Sequence, residues 1–99
     1  MLHIINKSPF ENRSLESCLR FAQAGSALLL TEDAVYAATV DGPAHASVRQ
    51  ACHTLKVYAL QPDTDARGVT AKVMVGVTLV DYGGFVDLAA EHSSSQAWL

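Results

Sequence analysis

Apolar residues in this chain come in short clumps separated by polar punctuation. Four stretches read as strands: Leu2-His3-Ile4-Ile5, Ala27-Leu28-Leu29-Leu30-Thr31, Lys56-Val57-Tyr58-Ala59-Leu60, and the second half of the β-branched run that ends at Val80. None alternates cleanly with polar residues. Continuous apolar runs of this length fit strands covered on both faces, as in parallel sheets. Between them the spacing changes to that of helices. Leu15, Cys18, Leu19 and Ala22 fall on one helical face, as do Val48, Ala51, Cys52 and Leu55, and later Phe85, Leu88 and Ala89.

The punctuation places the boundaries. Asn6-Lys7-Ser8-Pro9 ends the first strand, since proline cannot donate to a ladder. Ser14 reads as the N-cap of the first helix and Gly25 as its C′ stop. Residues 35–38 read as a helical turn, and Asp41-Gly42-Pro43 as a tight turn. A second helix is expected over 45–55, a third strand over 56–60, and a short helix or turn over 63–68 closed by Gly68. Gly76 interrupts the next apolar run, so only 77–81 is expected to be the fourth strand. A last helix is expected over 82–92 despite Gly83-Gly84, followed by a polar stretch and the apolar tail Ala97-Trp98-Leu99.

Strands that alternate with helices predict an α/β fold. The expectation is a small, mostly parallel sheet of four to five strands with helices on both faces, in a single domain spanning 1–99. So few helices cover two faces thinly. The apolar tail at Trp98 therefore reads as a surface that a partner subunit buries.

Composition narrows the functions. Seven Lys and Arg stand against ten Asp and Glu, with no basic cluster, so direct nucleic-acid binding is not expected. No apolar run approaches a membrane span, and the short hydrophobic start is soon broken by polar residues, so a cytoplasmic location is expected. Cys18 and Cys52 then read as free thiols. The four histidines, at 3, 45, 53 and 92, are scattered, and neither a metal-ligand spacing nor a Gly-rich phosphate loop is present. No cofactor is expected.

Two kinds of site remain. In open parallel sheets, ligands bind beyond the carboxyl ends of the strands. Those ends supply Ser8, Glu32, Asp33, Gln61, Asp63, Asp81 and Tyr82. Acids there can serve hydrolysis, but Asp and Ser at such positions more often cap the following helix. The other candidate is Cys18. Near a helix N-terminus a thiol is acidified and becomes nucleophilic. On the apolar face of a helix it is core packing instead, and Cys52, beside Val48 and Leu55, reads as packing.

Several segments carry a resemblance. MLHIINKSPF, SLESCL, LLLTEDAVYAA, KVYALQPDTDARG, VDYGGFVDLAAEH and QAWL occur in an order and spacing similar to those of the TusB/DsrH family of sulfur-relay proteins. The resemblance runs from end to end. It implies a DsrE-like α/β fold and a heterohexamer with DsrE/TusD-like and DsrF/TusC-like subunits. Such a complex passes persulfide sulfur to a DsrC/TusE-like acceptor, either for 2-thiouridine at the tRNA wobble position or for sulfur oxidation. The principal sulfur-carrying cysteine belongs to the DsrE/TusD-like subunit. Cys18, within SLESCL, matches the cysteine of DsrH-like members and tilts the chain towards that branch. It is the expected persulfide carrier if this chain has one. The alternative is a non-catalytic assembly subunit with the chemistry on its partners.

Overall fold

The computed structural model describes residues 1–98. The chain runs β1 (Leu2–Ile5), α1 (Ser14–Phe21), β2 (Ala27–Leu30), a 3-10 helix (Glu32–Ala38), α2 (His45–Ala51), β3 (Lys56–Leu60) and α3 (Gln61–Ala66). A 3-10 turn (Thr70–Lys72), β4 (Val77–Val80), α4 (Tyr82–Glu91) and β5 (Ser95–Trp98) complete it. The five strands form one sheet in the order β4-β3-β2-β1-β5, and every pairing is parallel.

This order explains where the helices lie. From β1 to β4 the chain steps steadily towards one edge, then returns across the whole sheet to β5. Crossovers between parallel strands are almost always right-handed. Steps in one direction therefore put their helices on one face, and the return step puts α4 on the other. The apolar residues divide accordingly. Ile5, Leu28, Leu30, Val57 and Ala59 pack with Leu15 and Cys18 of α1, Val48 and Ala51 of α2, and Val35 of the first 3-10 helix. On the opposite face, Leu2, Ala27 and Leu29 pack with Leu88, flanked by Ile4, Tyr58, Val80 and Phe85. That second cluster draws its helical residues from α4 alone.

Several boundaries differ from the sequence expectation. Ser14 is the first helical residue and not the cap; its backbone N–H donates to Asn12 Oδ1 at 2.6 Å. α1 ends at Phe21, so Gly25 is not its C′ residue; Gly25 has φ 89° and donates its N–H to Thr54 O at 2.8 Å. α2 stops at Ala51, and a turn carries Leu55 back into the core. Asp81 leaves β4 to cap α4, its Oδ1 accepting the Gly84 N–H at 2.7 Å. A methyl at Gly84 would sit 2.9 Å from Val80 Cβ, so the glycine lets the first turn of α4 press against β4.

The largest correction is the tail. Ser95–Trp98 is a fifth strand, paired with β1 so that Trp98 lies beside Ile5. Trp98 is spent inside the chain: it packs on the α1-side core, with Phe21 at 5.9 Å between ring centroids. Leu99, the end of the expected tail, lies outside the described residues.

Candidate functional site

Open α/β sheets bind ligands beyond the carboxyl ends of their strands. A cavity of about 260 Å³ lies there. Asn6, Thr31, Glu32 and Asp63 supply its polar lining, and Leu60 and Phe85 are among its apolar residues. Asn6 Oδ1 is closed off from solvent and accepts no hydrogen bond among the described residues.

Of the strand-end residues, Glu32, Asp63 and Tyr82 line this one cavity, whereas Ser8, Asp33, Gln61 and Asp81 do not. The acids are committed to structure. Glu32 has φ 49°, a left-handed conformation that a residue with a Cβ rarely adopts. Its backbone N–H donates to Asp63 Oδ2 at 2.6 Å, which pins that conformation. Arg67 Nε bonds Asp33 Oδ1 at 2.9 Å, and its Nη1 lies 3.8 Å from Asp63 Oδ1. Ser8 Oγ accepts the Phe10 N–H at 3.1 Å and organises the turn after β1. These contacts hold Ser8, Asp33 and Asp63 in structural roles.

The thiols sit elsewhere. Neither cysteine lines the strand-end cavity, and both are free. Cys18 is the fifth residue of α1, past the first turn where the helix dipole acts. Its side chain is 0% exposed within the α1-side core. Burial pushes its thiol up to about 11, the reverse of what a thiolate nucleophile needs. Cys52 is half-buried at the end of α2, and burial raises its thiol too. It also abuts Gly76, where an added Cβ would lie 3.3 Å from its Sγ.

Among the described residues, no group of three or more His, Cys, Asp or Glu could hold a metal ion. No helix among them is long and apolar enough to cross a membrane.

This parallel order, with one helix alone on the second face, defines a small class of α/β proteins. The crystal structure of the YchN protein from Escherichia coli has the same fold: the TM-score is 0.80, at 20% sequence identity, over 97% of each chain. The family is fixed by sequence. The model of the family described as DsrH like protein matches residues 7–95. Protein TusB of Pectobacterium parmentieri is 39% identical over 99 residues, covering 99% of this chain and all of that one. Protein TusB of Escherichia coli K12 is 41% identical over the same span. The chain belongs to the DsrH family of sulfur-relay proteins.

Proposed function

We propose that this chain is the assembly subunit of a cytoplasmic sulfur-relay complex, with the persulfide chemistry on its partner chains. One observation carries the reading: the strand-end cavity has no thiol in its lining, and Cys18 is sealed in the core. Persulfide transfer needs a thiolate that another chain's sulfur can reach. Cys18 meets neither condition, so in this reading it is a packing residue and not the carrier. The partners follow from the family resemblance: DsrE/TusD-like and DsrF/TusC-like subunits in a heterohexamer, and a DsrC/TusE-like acceptor. The TusB relatives support tRNA 2-thiouridine as the destination of the sulfur.

The test reconstitutes the complex and loads it with a persulfide donor. Intact mass then counts the sulfur atoms added to each chain. Cys18→Ala is the variant of choice, because a serine hydroxyl in that apolar setting would lack a partner. Expected are no added sulfur on the folded wild-type chain and unchanged delivery to the acceptor by Cys18→Ala. One added sulfur that disappears with Cys18→Ala, together with slowed delivery, would restore Cys18 as a carrier.

A further inference from the structure

β5 is an edge strand with few ties. Four residues pair with β1 on one side only, and Ser95, Gln96 and Ala97 are all exposed. Its anchor is Trp98. The indole Nε1–H donates to His3 Nδ1 at 3.2 Å, and the two rings lie 6.0 Å apart. An indole nitrogen can only donate, so Nδ1 must offer its lone pair. His3 is therefore neutral, with its proton on Nε2. It is a nearly inaccessible imidazole, 1% exposed, beneath Trp98 and edge-on to Phe21 at 6.4 Å.

We propose that this pair is a proton-operated latch on β5: neutral His3 holds Trp98, and a solvent proton taken up at Nδ1 displaces the indole N–H and frees the strand. The step is a single protonation. The lone pair that accepted the indole hydrogen forms an N–H bond instead, and two donors then face each other.

The surroundings favour release over accommodation of the charge. His3 is in register with Leu28 of β2, and through it with Val57 of β3. On the other side it is in register with Gln96 of β5. α1 contributes Phe21, and none of these residues carries a negative charge that would neutralise an imidazolium. The charged group facing His3 is the Met1 ammonium; the two residues line a cavity of about 220 Å³ with Phe21, Gln23 and Ser26. Burial first, and then that ammonium, hold the His3 pKa below its ordinary 6.5.

The direction of the effect follows from linkage. Opening relieves burial, the larger cause that lowers the His3 pKa, so the open form titrates above the closed one. Between those two values the open form binds the extra proton, so opening grows by up to about tenfold per pH unit as pH falls. Below the closed-state value the effect stops growing.

Trp98 is the chain's one tryptophan, so its fluorescence reports the latch directly. The full chain is titrated from pH 7.5 to 5.0, and protection factors of the β5 and β2 amides are followed by hydrogen exchange. Expected are a shift of emission to longer wavelength with a midpoint below 6.5, and loss of protection in β5 while β2 stays protected. His3→Gln, which cannot titrate, abolishes the response. His92→Asn, which removes the histidine just before β5, leaves it intact. A flat wild-type titration, a response that survives His3→Gln, or equal loss of protection in β2 overturns the proposal. Should His3→Gln not fold, nitrogen chemical shifts of the wild-type imidazole decide. The latch requires the Nε2–H tautomer at pH 7.5, and a protonated Nδ1 at that pH overturns it.

Discussion

Cys18 shows how burial acts on one thiol. Its residue type and its place on α1 were readable from sequence, and both readings, reactive and packed, were available. What the sequence does not show is depth, set by strands β1 and β2 that meet α1 only after folding, and depth is what favours the packed reading. A thiol held near 11 in the fold and 9 when exposed stays protonated through a window in which the unfolded chain ionises. The unfolded state then binds fewer protons, so stability is full below pH 9 and falls as pH rises towards about 11. Denaturant midpoints measured from pH 8 to 11 should show this fall. Cys18→Ala should flatten most of it at a cost of roughly 1 kcal/mol at neutral pH. The remainder belongs to Cys52, whose thiol is also raised.

Elements were legible where pattern and punctuation agreed. All four apolar clumps coincide with strands, β1 to β4, and β1 to β3 stand out most because strands buried on both faces admit few polar residues. β5 was not legible. Ser95 and Gln96 are exposed, and an edge strand paired on one side imposes no alternation on its sequence. The apolar residue that marks it, Trp98, was read as an interface because its acceptor, His3, lies 95 positions away. The start of α4 was legible: Asp81 stood among the strand-end acids expected to cap the following helix, and it caps α4. Asp81→Ala should remove the cap and cost about 1 kcal/mol, a fall in Tm of about 4–8 °C for a domain of this size. Gly84→Ala should also destabilise by roughly 1 kcal/mol, since the clash with Val80 outweighs the gain in helix propensity. Thermal melts of both variants test this.

For the molecule as a whole, the imbalance between the two faces of the sheet is the functional lead. α4 covers its face alone, and Tyr82 and Val86 on it are 61% and 67% exposed. The sequence predicted this helix and a thinly covered sheet, but placed the partner-facing surface at the tail and not here. If the chain is an assembly subunit, that face is the region to perturb. Val86→Glu should leave the melting temperature within a few degrees, as exposed substitutions usually do. It should weaken association with the partner subunits, which size-exclusion chromatography with light scattering reads directly. An unchanged complex would move the interface elsewhere. Asp33 and Asp63 at the strand ends sit outside this question, since their partners lie within the chain.

The pairing of β5 with β1 also sets a timetable for synthesis. The last strand made is laid beside the first, residue 95 against residue 2, so their contacts have the longest loop in the molecule to close. β1 to β4 can assemble in the order they are made, each new strand adding to the outer edge. Until the final strand arrives, β1 is itself an edge, presenting Leu2 and Ile5, which are fully buried in the finished fold, to whatever is near. A nascent chain stalled before Ser95 is therefore the form most exposed to aggregation, and the form a chaperone or a sister subunit has most reason to meet.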